Sequence, residues 1–408
     1  MKNKKIIFSF LFFLLSSFIF SAGNVQNSSS DNEKKFIKGS LSEKIEILQN
    51  LKDDEIISIG KKGLDFSIEN ASLLSEDSEL ALLAASSVRA FPKTNKEIKS
   101  KKLDTSKLKD IPEKFIAIFR LFKNSELRTA VMERLEFYCA GNKALLVDFI
   151  NDYLSTAFKT DEKAAPELEY LIATIGKIGN DESLSIVYNI WVTNIWEEYK
   201  TVTDEALVEL SSDSFSDVIK IFSISKIGDF RNFFLLLKNS SKISQKFLCD
   251  IAENALLIAI NNAEKLKENS DSAKSDFSSF QLEVSEVLAE NKWSHAASVV
   301  NENVILAKKE YDESSMTEDD FCKIIRNAVK VPSSNLAKSL TGFLSECNGK
   351  VEQSGETMPS KNVVLALILA LGDLGDKTAF DTLLYTTYLT YPAEVTDEAK
   401  KSLAKLNW

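Results

Sequence analysis

From Leu41 onward, apolar residues recur three and four positions apart, the spacing that lines one face of a helix rather than the alternation of a strand. Leu41–Leu51, Glu55–Asn70 and Glu76–Ala90 are the first such segments. Ser75 or Ser78 can cap the third, and Phe91-Pro92 ends it because proline pushes its predecessor out of helical space. Lys93–Asp110 lacks the period and is expected to be a linker. Helices resume at Glu113–Lys123, Glu126–Cys139 and Lys143–Phe158, then at Phe215–Ile224, Phe230–Lys238 and Gln245–Leu266. The last of these is apolar around much of its circumference, which predicts burial between neighbours. Asn269–Ser279 is polar and is expected to be a loop. Beyond it the pattern predicts Gln281–Glu290, Ser294–Asp312, Glu318–Val329 behind a capping Thr317, and Asn335–Cys347. A second loop, Asn348–Pro359, leads to Ser360 as the cap of the final repeat. No sustained strand signal occurs, and 13 glycines and 6 prolines are few for a chain of 408 residues, so the fold class is all-α.

Two stretches say the same thing. Leu171–Leu210 and Leu367–Leu406 each run an apolar helix into Gly-x-(Ile/Leu)-Gly-(Asn/Asp), then a second apolar helix, then Val-Thr-Asp-Glu-Ala. Gly179 and Gly375 are expected to end their helices in the left-handed conformation, with Asn180 and Asp376 capping the next. Thr203 and Thr396 are expected to cap the third helices ahead of Asp204-Glu205 and Asp397-Glu398, where the helix dipole favours acids. Gly176 and Gly372 each cost about 1 kcal/mol inside a helix, which implies close approach of a neighbouring helix. A partial third copy, Ser225-Lys226-Ile227-Gly228-Asp229, places its glycine 49 positions after Gly179 (228 − 179).

At Ala370-Leu371-Gly372-Asp373-Leu374-Gly375-Asp376, and more weakly at Ile175 through Asn180, the chain resembles the HEAT-repeat family, including its short bacterial forms. HEAT units run ~40–47 residues, so irregular repeats are expected. The resemblance implies a HEAT-like alpha-alpha solenoid, a superhelical stack of antiparallel helix pairs used as a binding surface. It carries over no catalytic residues. On this reading residues 41–268 form an irregular array, 269–280 a loop or seam, and 281–408 a second array whose final helix, Asp397–Leu406, caps the stack.

The amino terminus changes the picture of where the protein works. Lys2, Lys4 and Lys5 precede the apolar run Ile6–Phe20 and then Ser21-Ala22-Gly23, the three-part plan of a secretory signal peptide over residues 1–23. The run would span about 22 Å as a helix, short of the ~30 Å hydrocarbon core, so cleavage after Ala22 or Gly23 is expected rather than anchoring. No cysteine near the junction offers a lipid-attachment point. A disordered leader is expected over 24–40, and the mature protein should be periplasmic or secreted. Losing three lysines takes the formal charge from −10 to −13. Such an acidic chain is a poor nucleic-acid binder, because phosphate neutralisation needs clustered lysine and arginine. The one basic run, Lys96–Lys109, is read as a solvated loop.

Candidate chemistry is sparse. His295 is the single histidine, and any Ser/His/Asp or Cys/His mechanism would have to use it. It lies near a helix start, with no Gly-x-Ser-x-Gly elbow elsewhere. No phosphate-cradling glycine loop or calcium loop occurs, so no cofactor or metal is expected. In an oxidising compartment the four cysteines have one candidate pairing, Cys322 with Cys347 on consecutive helices, against the alternative of buried thiols. Trp191, Trp196 and Tyr199, on a helix expected to run Ser183–Tyr199, are the candidate partner-binding residues. That helix holds more apolar surface than one stripe requires, so either two neighbours sandwich it or part of it faces a groove. The leading expectation is a non-enzymatic exported scaffold or adaptor for a protein or peptide in the cell envelope. An envelope hydrolase or transferase with a carboxylate site in an inter-array groove, and a membrane-tethered subunit with its signal retained, stay open as alternatives.

Overall fold

The structure is a computed structural model that describes residues 31–74, 78–160, 163–267, 270–353 and 358–407. The expected signal peptide and Trp408 lie outside the described residues. Every regular element among the described residues is a helix, and the chain divides into two compact units, Met1–Arg134 and Leu135–Trp408.

The first unit holds α1 (Asp31–Lys38), α2 (Leu41–Gln49), α3 (Ile56–Leu74), α4 (Ser78–Ala90), α5 (Asn95–Ser100) and α6 (Ile111–Leu121). The helix α7 (Ser125–Tyr138) runs across the division. Phe36 of α1 is 2% exposed and joins Ile45, Leu48, Ile59 and Leu83 in one core. Part of the expected disordered leader is therefore helical, because one phenylalanine among polar residues finds a buried site. The linker Lys93–Asp110 likewise contains α5, capped by Thr94, and a 3₁₀ turn at Thr105–Leu108 capped by Asp104. Ile98 and Leu108 anchor these two short elements in the core.

The second unit begins with α8 (Lys143–Lys159), α9 (Pro166–Ile178), α10 (Asp181–Thr193), α11 (Lys200–Ser211), α12 (Phe215–Ile224) and α13 (Ile227–Lys238). It continues through α14 (Gln245–Asn261), a short α15 (Ala263–Lys267), α16 (Asp271–Glu290), α17 (Ala297–Asp312) and α18 (Glu318–Ala328). It closes with α19 (Ser334–Glu352), α20 (Lys361–Leu374), α21 (Phe380–Thr386) and α22 (Ala393–Ala404). Most of the loop or seam expected at 269–280 is thus helix. Ser270 accepts from the Ala273 amide to start α16, and Phe277 and Phe280, three apart, are both fully buried. Those two rings outweigh the serines and aspartates between them.

Neighbour contacts order the second unit into two rows. In one, α9, α11, α13, α16, α18, α20 and α22 each pack on the next; in the other, α8, α10, α12, α14, α17, α19 and α21 do the same. Rungs such as α8 on α9, α10 on α11, α17 on α18 and α21 on α22 join the rows. The sequence caps hold at Asn180, Thr317 and Ser360, whose side chains accept amide protons at the starts of α10, α18 and α20, and at Asp376, which accepts from the Thr378 amide at the 3₁₀ turn leading into α21.

The glycines work differently from one another. A Cβ on Gly176 would lie 2.7 Å from Ala206 Cα, and one on Gly372 would lie 2.5 Å from Ser402 Oγ and 3.0 Å from Ser402 Cα. Close helix approach is what both positions require, as expected. Gly375 takes the expected left-handed conformation, at φ 65°. Gly179 does not: at φ −67° and ψ −178° it is extended. Its need is steric, since a Cβ there would come 2.5 Å from Ile175 O and 2.7 Å from Leu210 Cδ2. Gly228, assigned to a partial copy, lies in the first turn of α13 and ends nothing.

The threonines of Val-Thr-Asp-Glu-Ala are not caps either. α11 and α22 start at Lys200 and Ala393, so Thr203 Oγ1 donates back to Tyr199 O at 2.9 Å and Thr396 Oγ1 to Ala393 O at 3.0 Å. Each repeat glycine meets the residue 30 positions on (206 − 176 and 402 − 372). Thr203 and Thr396 stand 27 and 24 positions after their glycines (203 − 176 and 396 − 372). The matched strings therefore sit about one helical turn apart in the packed register.

Candidate binding surface

The helix carrying the candidate aromatics is shorter than its apolar run. α10 stops at Asn194, which takes φ 50°, a conformation asparagine tolerates without glycine. The chain then passes Trp196 through a turn and enters a 3₁₀ turn at Glu197–Tyr199 before α11. The three aromatics accordingly leave the common helix face.

Trp191 is half-buried. Its indole N–H donates to Asp204 Oδ1 at 2.6 Å, its ring stacks on Tyr188 at 5.9 Å between centroids, and Phe233 lies 6.1 Å away. Lys200 Nζ sits 5.9 Å from the same ring and 3.7 Å from Asp204 Oδ1, so a cation and a carboxylate flank the ring. Tyr188 is 6% exposed and bonds Ser225 Oγ at 2.6 Å; burial, the main cause, pushes its phenol up to about 12. Trp196 is only 3% exposed, so no partner reaches it without rearrangement. Tyr199 is half-buried, its phenol raised first by burial and then by Glu198, Glu169 and Glu167. The apolar excess of α10 is used by its neighbours α8, α9, α11 and α12. Of the three aromatics, Trp191 and Tyr199 keep an accessible edge.

His295 lies in a 3₁₀ turn at Ser294–Ala296 before α17, and its side chain is 79% exposed. Its Nδ1 is 2.8 Å from both Glu253 oxygens, and Trp293 Nε1 donates to Glu253 Oε2 at 2.9 Å. The Glu253 carboxylate raises the imidazole above its ordinary value of 6.5. This arrangement ties α14 to the turn before α17, and among the described residues no hydroxyl or thiol bonds the imidazole.

Cys322 and Cys347 are not paired; all four cysteines are free and buried. The two residues sit on α18 and α19, which belong to different rows, and consecutive position in the chain does not make them facing partners. Burial raises Cys139, Cys249 and Cys322 each to about 11, so these thiols are poor nucleophiles.

Periodicity gives no sign of the buried polar staples. Asn151 on α8 accepts from Ser183 Oγ at 2.8 Å and donates to Asn180 Oδ1 at 3.3 Å. One row position before the carboxyl end, Asn348 on α19 donates to Thr386 Oγ1 at 3.0 Å and to Thr382 O at 3.2 Å. In each clear repeat an asparagine of the preceding helix thus fastens the middle helix. A further pair, Lys267 Nζ to Glu310 Oε1 at 2.9 Å, joins α15 to α17 with Glu310 1% exposed.

No family model matches the chain, and no characterised protein is detectably similar to it in sequence.

Proposed function

We propose that this chain is an exported HEAT-like alpha-solenoid that binds a protein or peptide partner in the cell envelope and catalyses nothing. The observation that carries the reading is the pair of helix rows in the second unit, with the glycine contact Gly176–Ala206 repeated as Gly372–Ser402. A stack in which each unit touches only its neighbours offers long faces for ligands. Its end must be polar, and α22 carries Asp397, Lys400 and Lys401, all exposed. The accessible edges of Trp191 and Tyr199 are candidate contact points. Among the described residues no helix is long and apolar enough to cross a membrane. Lys2 through Gly23 supports export, with release into the periplasm or medium.

The experiment is crosslinked affinity capture from the protein's own envelope extract, with mass spectrometry of the captured partners and of the mature amino terminus. A reproducible protein partner and a terminus near Asn24 support the adaptor. Retention of Met1 or Lys2 with no partner points instead to a tethered subunit. Turnover that survives purification and is lost on changing one groove acid would overturn the non-enzymatic reading.

A further inference from the structure

The two-row order of the second unit has one interruption. Between α14 and α16 the chain inserts α15, which packs on both. Beside it, a groove of about 420 Å³ opens between the α12–α13 turn, the end of α14, α15 and the start of α16. Its floor is apolar: Phe222 and Ile227 are 1% and 4% exposed. Ile258 and Leu266 form half-buried walls. Ile224, the last residue of α12, stands on the rim at 81% exposure, the highest among the large apolar side chains described.

The rim is also basic. Lys226, in the α12–α13 turn, and Lys265, on α15, both line the groove and are exposed, and neither is held in a salt bridge among the described residues. The nearest acid on the α13 side, Asp229, is partly buried, and desolvation raises it more than Lys226 lowers it. On a chain of net charge −10, two exposed lysines with no salt bridge among the described residues, beside an apolar slot, select against most of the chain's own chemistry. They match an anion attached to an apolar side chain.

The slot is held in shape from behind. Lys267 of α15 reaches the buried Glu310, and Glu264 pairs with Lys309 at 3.3 Å, so both ends of α15 are tied to α17. A preformed wall lowers the ordering cost of binding. The volume is that of a small-ligand pocket, enough for the terminal residue or two of an extended peptide and too small for a helix.

We propose that this groove binds the carboxyl-terminal residue of a partner polypeptide, its apolar side chain on Phe222 and Ile227 and its free carboxylate between Lys226 and Lys265. The assignment rests on the scaffold reading above and names the site and the partner's end.

The test uses the full mature chain and a fluorescein-labelled hexapeptide ending in leucine, supplied as the free acid and as the amide, read by polarisation. The free acid is expected to bind about tenfold more tightly than the amide. The double variant Lys226→Glu/Lys265→Glu should lose that preference with an unchanged melting temperature, since both side chains are exposed. Ile224→Asp should weaken both peptides. Glu310→Gln, which leaves the groove surface intact but loosens α15, should weaken binding by less than the lysine reversal. Equal affinity for acid and amide, or a preference surviving the double reversal, overturns the assignment. So does dodecanoate binding where no peptide binds. Peptides that bind but protect another surface from hydrogen exchange leave the scaffold reading standing and remove the groove. Absence of any peptide binding up to about 1 mM, together with no captured protein, removes both.

Discussion

Glycine to alanine in a helix interior ordinarily stabilises, and this chain offers sites where the sign should reverse. Gly176 lies in α9, and a methyl group there would sit 2.7 Å from Ala206 Cα and 2.8 Å from Ala206 Cβ. Carbon atoms in favourable contact stand ~3.5–4.0 Å apart, so α9 and α11 must separate by about 1 Å at their crossing. Backbone cannot rotate out of the way as a side chain can. Overpacking of this kind costs ~1–3 kcal/mol, against a propensity gain of ~1 kcal/mol, which leaves a net destabilisation of up to ~2 kcal/mol where alanine elsewhere would stabilise. Gly342 and Gly349 are the controls: both lie inside α19, in the same compact unit, and a Cβ at either meets nothing within 4 Å. Gly342→Ala and Gly349→Ala should each stabilise by ~0.5–1 kcal/mol. Urea unfolding of the four proteins at constant m reads the difference as a shift of midpoint in opposite directions. Adding Ala206→Gly to Gly176→Ala should restore only part of the loss, because the clash with the Ala206 Cα persists. A Gly176→Ala protein as stable as Gly342→Ala would refute the close-approach account of the repeat glycine.

Asn348→Ala should cost ~1 kcal/mol, since Thr386, itself 0% exposed, loses the Asn348 amide while its hydroxyl still donates to Thr382 O; a midpoint unchanged in urea would show that the staple is not needed. Because Glu253 raises His295 above 6.5, the stabilisation is fully present below that unfolded value and disappears as pH rises through the folded value. Melting scans across that window should therefore fall in the parent and be flatter in Glu253→Gln. Thiol titration of denatured protein should find four reactive cysteines with or without reductant, and slow reaction of the native form; fewer without reductant would reinstate the Cys322–Cys347 bridge. Deleting Thr396–Trp408 exposes the α20 face packed on α22 and should produce self-association in sedimentation; a monomer of parental stability would show that α22 is not the cap.

Helical class, most element positions and the caps at Asn180, Thr317, Ser360 and Asp376 follow from the chain alone, because a cap or an apolar period acts within a turn or two of the residues that carry it. Asn180, Thr317 and Ser360 need nothing distant in order to accept their amide protons. The demand for small residues at Gly176 and Gly372 was legible too, as a helix cost that only close packing explains. Local rules fail where a distant surface chooses between outcomes. Gly179 and Gly375 share a motif, yet one is extended beneath Leu210 and the other left-handed. Phe36, Phe277 and Phe280 turn polar stretches into helices by finding buried sites. Asn194 ends the helix inside the apolar-rich stretch Ser183–Tyr199, and Trp196 is lost from the candidate surface as a result. The groove is the furthest from sequence, since Ile224, Lys226 and Lys265 meet only because α15 interrupts the stack. Periodicity states which side of a helix is buried, but which neighbour buries it is decided by the packing of helices tens of residues apart.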